Sequence, residues 1–173
     1  MKMPTLLGDC AHAATAAEAR FRIDYPNSKT RASRVIALDN EAARMMPHLA
    51  ADDWAGAHFL TYARTDSAPG IEALKMDATL EASDGTRSKL SRELDHADVV
   101  VMIASGGEAA EAAGVIGTAC SVRAIMTAGL IVSADRTDPA VESAVRALRP
   151  HAAVLVVASD ADYVPAMLRA LRA

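Results

Sequence analysis

The residues that could bind a ligand follow short apolar runs along the chain. Ser105, Gly106 and Gly107 come directly after the apolar run 98–104, and Glu108 follows them. Glycines between a strand and a helix leave backbone N–H groups available to an anion such as phosphate. The pattern therefore predicts a ligand loop at residues 105–107 or, as the alternative, a tight strand-to-helix turn.

Polar residues also follow the other predicted strands. Because the carboxyl ends of parallel strands meet at one edge of a sheet, these side chains should lie along the same edge. Gathered carboxylates could bind Mg²⁺, although Asp and Asn are also preferred helix N-caps, a role that fits Asp138, Asp160 and Asp162. The predicted ligand-binding residues are Asp39, Asn40, Thr65, Asp66, Ser105, Gly106, Gly107, Glu108 and Asp135.

The sequence lacks the motifs that would identify a particular cofactor, metal or catalytic mechanism. The loop at residues 105–107 lacks the Lys and Ser/Thr of a P-loop and does not match the dinucleotide-binding spacing. No two histidines lie four residues apart, as a helical metal site would require, and we predict no metal ligands. Neither Ser105 nor Cys120 has a base partner that the sequence identifies. Catalysis and the identity of any cofactor therefore stay open.

The elements that would position these residues alternate from Arg34 onward between β-branched runs and amphipathic segments, which is typical of βαβ units. We predict strands at residues 35–38, 58–63, 98–104, 125–133 and 153–158, with a half-exposed edge strand at 74–81. The apolar runs 98–104 and 153–158 are predicted to be buried strands. We predict helices at residues 40–51, 86–97, 108–124, 139–148 and 163–171. The predicted fold is α/β: a single domain at residues 34–173, three-layered α/β/α on a mainly parallel Rossmann-like sheet. Residues 1–33 would form an N-terminal arm or extra helix.

Composition restricts the partners and the compartment. The chain has 173 residues, of which 51% are hydrophobic, a size and composition that suit one domain with its own core. A net charge of -4 argues against general nucleic-acid binding, which needs cationic side chains to neutralise phosphates. Two distant cysteines, no run of about 18 apolar residues and no secretory pattern at the start predict a soluble, cytoplasmic protein without a membrane partner.

Three stretches resemble a known family. Residues 35–46 are similar to the first strand, loop and helix of the nucleotide-binding domain of the tubulin/FtsZ family, and residues 62–66 resemble its second strand, which ends in Asn-Thr-Asp. Residues 97–132 follow that domain's order of strand, Gly-rich phosphate loop, helix and strand. The resemblance covers about residues 34–162, and it implies a Rossmann-like domain with a nucleotide as a candidate ligand.

The chain departs from this family in both phosphate-binding loops. The family has a run of glycines followed by Thr-Gly-Thr-Gly where this chain has Ser-Gly-Gly-Glu-Ala-Ala-Glu at residues 105–111. The first loop is Gly-rich in the family but reads Asp-Asn-Glu-Ala at residues 39–42. Our leading hypothesis is therefore a degenerate nucleotide-binding-type domain, non-catalytic and homodimeric, that binds a small ligand or a protein partner. GTP-driven polymerisation is not expected.

Two alternatives belong to other classes. Residues 104–108 resemble the Ser-x-Ser-Gly-x-Thr loop of the isomerase (SIS) type of sugar-phosphate-binding domain, without its second hydroxyl residues. That resemblance makes a sugar phosphate a second candidate ligand. A small Mg²⁺-dependent enzyme that uses Asp39, Asp66 and Asp135 is the other alternative.

Overall fold

A computed structural model describes residues 29–63 and 77–173 of the chain. These residues form an α/β structure with one seven-stranded sheet and five α-helices. Most of the predicted N-terminal arm lies outside the described residues, as do Thr65, Asp66 and the first part of the predicted strand 74–81.

The elements follow one another along the chain in a largely alternating order. The strands are β1 (Ser33–Ala37), β2 (Ala57–Ala63), β3 (Thr79–Ala82), β4 (Arg87–Lys89), β5 (Val99–Ala104), β6 (Met126–Val132) and β7 (Val154–Ala158). The helices are α1 (Asn40–Ala50), α2 (Leu90–Leu94), α3 (Ala110–Val122), α4 (Pro139–Leu148) and α5 (Tyr163–Ala170). A single 3₁₀ turn, Gly107–Ala109, leads into α3.

The sheet is mixed, with the strand order β4-β3-β2-β1-β5-β6-β7. Strands β2, β1, β5, β6 and β7 run parallel, whereas β3 pairs antiparallel with β2 and β4 pairs antiparallel with β3. The predicted α/β class and mainly parallel sheet are thus confirmed. After β1 the chain first adds strands on one side and then crosses to β5 on the other. The direction of winding therefore reverses between β1 and β5.

Apolar strands place the core on both faces of the sheet. All six residues of β5 are buried, as expected for a central parallel strand covered on both faces. Alternate residues of β1 belong to different clusters, Ile36 to one and Val35 with Ala37 to the other. Helices α2, α3 and α4 contribute to the first cluster, and α1 and α5 contribute to the second.

The predicted helix at residues 86–97 is wrong in its first part. The turn after β3 closes at Gly85, whose φ of 82° is a conformation that glycine adopts without strain. The chain then reverses, and β4 pairs with β3, where Arg87 Nε lies 3.0 Å from Glu81 Oε2. Only residues 90–94 are helical, and their Leu90 and Leu94 are buried as the helical spacing predicted.

Two further predictions about strand position are wrong. The described end of the predicted edge strand forms β3, which lies between β2 and β4 rather than at an edge. Strand β7, predicted to be buried, lies at the edge instead, and Val154 is 51% exposed. Apolar composition alone does not distinguish a central strand from an uncovered edge.

Candidate functional site

The carboxyl ends of β1 and β5 bring two of the predicted loops together. These neighbouring parallel strands are in register from Ser33 and Val99 to Ala37 and Ile103. The backbone N–H of Leu38 then donates to Ile103 O at 2.9 Å, so the pairing continues past the end of β1. The loops that follow lie side by side at the point where the winding of the sheet reverses, which is where open α/β sheets place their ligands.

The side chain of Asp39 accepts hydrogen bonds from backbone N–H groups of the loop that follows β5. Its Oδ2 accepts hydrogen bonds from the N–H of Ser105 at 2.7 Å and from the N–H of Gly106 at 3.1 Å. Both donors belong to the loop whose glycine N–H groups the sequence predicted would meet an anion, although Ser105 rather than Gly107 is the second donor. The anion that they meet is a carboxylate of the chain itself.

The same side chain also caps a helix. Asp39 Oδ1 accepts from the N–H of Ala42 at 2.8 Å, and Asp39 is the extended N-cap residue of α1. Three backbone N–H groups, two from the loop after β5 and one from the first turn of α1, thus converge on one half-buried carboxylate. The carboxylate links the start of α1 to the loop after β5.

Neither the backbone conformation nor the space around residue 106 requires a glycine there. Gly106 is extended, with φ of -159° and ψ of -167°, a conformation open to any residue. A Cβ added to it would meet none of the described atoms within 4 Å. The second glycine, Gly107, begins the 3₁₀ turn, and Glu108 is exposed within that turn.

Two other predicted ligand residues, Asn40 and Asp135, lie apart from this contact, and Thr65 and Asp66 are outside the described residues. Asn40 is exposed at the start of α1. Asp135 follows β6, which is separated from β1 by β5. Its Oδ1 accepts from the N–H and hydroxyl of Thr137 at 2.8 Å and 2.6 Å, and these two hydrogen bonds lower the pKa of Asp135. Its carboxylate is thus engaged in a local turn.

Capping accounts for two of the three acidic residues to which the sequence assigned that role. Asp138 Oδ1 accepts from the N–H of Ala140 at 2.8 Å at the start of α4. Asp160 Oδ1 accepts from the N–H of Tyr163 at 3.2 Å. Asp162 occupies the N-cap position of α5 but makes no side-chain capping bond. Residues 29–63 and 77–173 contain no cluster of three or more His, Cys, Asp or Glu side chains suited to a metal ion.

Sequence reasoning missed a charged cluster at the opposite, amino-terminal end of the strands. Arg34, only 5% exposed, lies on β1 beside His58 of β2. Glu93 Oε2 of α2 lies 2.9 Å from Arg34 Nε and 3.1 Å from His58 Nδ1. Burial by itself would raise the pKa of Glu93, but contacts with His58, Ser88 and Arg34 outweigh it and lower that pKa. The signal in the sequence was an arginine inside an apolar strand.

A cavity of about 550 Å³ adjoins this cluster, lined among others by Trp54, Asp84, Thr86 and Glu93. Trp54 is fixed in place, since its Nε1 donates to Leu49 O at 2.6 Å and its ring lies 5.3 Å from the Arg169 guanidinium carbon. The cavity lies at the amino end of β2, away from the edge where open α/β sheets bind ligands. The charged groups beside it serve to join β1, β2 and α2.

Cys120 is not available for covalent chemistry. It is fully buried on α3, and this burial raises the pKa of its thiol to about 11, with Arg123 opposing the shift. Because the thiolate is the reactive form of cysteine, the thiol is inert near neutral pH.

Comparisons with known proteins add no family. No protein-family model matches the chain, and no curated protein is significantly similar to it. Within the described ranges, no helix has both the length and the apolar character needed to cross a membrane.

Proposed function

We propose that this chain is a non-catalytic binding module, a degenerate relative of the tubulin/FtsZ-type nucleotide-binding domain with a single-domain, three-layered Rossmann-like fold. The observation that carries the proposal is the pair of hydrogen bonds from Ser105 and Gly106 to Asp39 Oδ2. In this proposal the carboxylate takes the place that a ligand phosphate would have at the switch point of the sheet.

The contact disfavours a nucleotide as the ligand. A phosphate could reach the two N–H groups only by displacing Asp39, and it would then lie close to the negative charge that it had displaced. Two unit charges about 4 Å apart repel by roughly 1 to 4 kcal/mol, depending on exposure to water. Displacement would also cost the cap of α1, since the same carboxylate accepts from Ala42.

The contact also argues against a catalytic role for Asp39. A general base needs a lone pair directed at the proton that it removes. A carboxylate has about four acceptor sites, and backbone N–H groups already occupy three of those of Asp39, two on Oδ2 and one on Oδ1. The carboxylate therefore acts as a structural anion, which fits a module that binds a partner without reaction.

The sugar-phosphate alternative depends on the same loop. A phosphate of the SIS type would need the N–H groups at residues 105–107, two of which are bonded to Asp39. The Mg²⁺ alternative would need carboxylates that follow β1 and β6 to meet at one ion, but β5 separates these strands, and Asp39 and Asp135 each accept hydrogen bonds from their own surroundings. No observed contact favours either alternative over a binding module.

Ligand-induced changes in melting temperature test the proposal. The wild type would be heated with GTP, ATP, glucose 6-phosphate, inorganic phosphate or Mg²⁺, each titrated to millimolar concentration. A ligand present at 100 times its Kd stabilises a protein by about 2.7 kcal/mol, which raises the melting temperature by several degrees. We expect no such rise.

The variant to compare with the wild type is Asp39→Ala, which frees the N–H groups of Ser105 and Gly106. We expect inorganic phosphate to stabilise this variant and not the wild type, because the anion can then replace the missing carboxylate. The control is Asp138→Ala, which loses an N-cap without opening the loop. A saturable stabilisation of the wild type by GTP, abolished in Gly107→Asp, would refute the proposal.

A further inference from the structure

The two edges of the sheet differ in a way that points to a partner. The edge strand β4 has the sequence Arg-Ser-Lys, with both charged residues exposed. Such charges prevent other strands from adding to an edge. The opposite edge strand, β7, has the sequence Val-Leu-Val-Val-Ala and carries no charge, proline or glycine. In the part of the chain that is described, no strand pairs with its outer side.

Exposed apolar side chains are concentrated around β7. Among the described residues, four large hydrophobic side chains are about half exposed or more: Val122 at 80%, Val154 at 51%, Met126 at 49% and Tyr163 at 48%. Val154 and Met126 begin β7 and β6, whereas Val122 ends α3 and lines a cleft of about 520 Å³ on the other face of the sheet. Tyr163 follows the carboxyl end of β7. Exposed apolar side chains near one end of the strand are thus matched by an exposed aromatic ring at the other.

We propose that β7 is a self-association edge, at which two copies of this chain pair their β7 strands antiparallel across a twofold axis and join their sheets. This inference goes beyond the proposed function and does not depend on it, because β7 is separated from β1 by β5 and β6. A twofold interface must be self-complementary, since the same surface is used by both copies.

The charges that flank β7 have the required self-complementarity. Arg149 and His151 precede the strand, and Asp160 and Asp162 follow it. Arg136 also lies at the carboxyl end, where its Nη2 donates to Ser159 Oγ at 3.3 Å and to Val157 O at 3.5 Å, so two carboxylates and one guanidinium leave that end with a net negative charge. Both acidic residues and Arg149 are exposed. In an antiparallel pair, each end of one strand lies beside the opposite end of the other, so the basic end of each copy meets the acidic end of its partner. A parallel pair would bring like charges together.

The same arrangement brings three of the four exposed apolar residues to the interface, all except Val122 on α3. If the axis passes near Val156, Val154 of one copy lies opposite Ala158 of the other. The segment that bears Tyr163 then approaches the amino end of the second copy's β7, where Met126 and Val154 are exposed. One operation thus accounts for the uncharged strand, the opposite charges and the exposed side chains.

The variant Val154→Lys tests the inference. Val154 is half exposed in the single chain, so Val154→Lys should fold. Because a twofold interface loses each apolar contact twice, we expect dimerisation to weaken about a hundredfold. The matched control is Ala50→Lys, an equal charge at an exposed position on α1. Sedimentation equilibrium of the full chain would measure dimerisation of the wild type and both variants. Protein concentrations of about 1 to 100 µM cover micromolar values of the dimer Kd.

Hydrogen exchange of the wild type provides a readout that does not depend on a variant. Every second amide of β7 already pairs with β6. We expect the remaining β7 amides, which point toward the open edge, to become more protected as the protein concentration rises. A wild type that is monomeric throughout with these amides always protected would mean that another segment of the chain covers the edge. A monomer with these amides unprotected would mean that no second copy binds there. Either result, or a dimer that persists in Val154→Lys, would overturn the inference.

Discussion

Replacing Asp39 by alanine should destabilise the protein more than the loss of a helix cap alone. Removal of an N-cap side chain costs about 1 kcal/mol. Asp39→Ala also leaves the N–H groups of Ser105 and Gly106 without their acceptor. Each unpaired buried donor costs about 1 to 3 kcal/mol, and the half-buried position favours the lower value. The total is about 3 kcal/mol, which corresponds to a fall in melting temperature of roughly 6 to 12 °C.

Two matched variants separate the contributions. Asp138→Ala removes a capping bond of the same length, 2.8 Å, without affecting a second loop, and should cost about 1 kcal/mol. Asp39→Asn keeps an acceptor for Ala42 but directs an NH₂ group at the two loop donors. Its cost should therefore fall between the two alanine variants.

Urea denaturation at pH 7, followed by circular dichroism, measures these differences, provided that the slope against denaturant is the same in all variants. The reasoning fails if Asp39→Ala and Asp138→Ala are destabilised equally, within about 0.5 kcal/mol. Equal values would mean that the bonds to Ser105 and Gly106 contribute nothing to the stability of the folded chain.

Three further predictions concern other parts of the fold. Gly117→Ala should destabilise the protein by about 1 to 3 kcal/mol in thermal unfolding, because the new Cβ would lie 2.4 Å from His151 Cβ. In the same helix, the Cβ of Gly114→Ala would meet nothing within 4 Å, so this variant should stabilise the protein by about 0.5 to 1 kcal/mol. Glu93→Gln should cost about 3 kcal/mol at pH 7 by leaving a buried arginine unpaired. The pKa of Glu93 is lower in the folded state, so the stabilisation by its carboxylate is present above the ordinary value of 4.5 and is lost as the pH falls through the folded pKa. In urea unfolding, the difference in unfolding free energy between wild type and Glu93→Gln should therefore narrow below pH 4.5. In a variant whose other cysteine is serine, Cys120 should react with a thiol reagent at pH 8 only after denaturation, and rapid labelling of the native protein would contradict its burial.

Much of the fold could be predicted because its strongest signals are local. The run at β5 is apolar throughout, as a strand covered on both faces must be. Helix α4 begins and ends where predicted, since Asp138 and Pro139 are an N-cap and a first-turn residue. Strand β4 could not be found in this way. Its Arg-Ser-Lys sequence has no strand preference and becomes extended only because β3 is there to pair with it.

The candidate site illustrates the same limit. Asp39, Ser105 and Gly106 were each predicted from the residue types that follow a strand. Their mutual contact spans 66 residues and depends on β1 and β5 being neighbours, which no local pattern specifies. The sequence thus indicated which groups lie at this edge, but not that the carboxylate would occupy the donors.

The central position of β1 has a consequence for the growing chain on the ribosome. β1 pairs with β2 on one side and with β5 on the other, and Ser105 is synthesised 66 residues after Asp39. At roughly 5 to 20 residues per second, this interval lasts about 3 to 13 s. During that time one long side of β1 has no strand to pair with, so the nascent chain is most exposed to wrong association before β5 emerges.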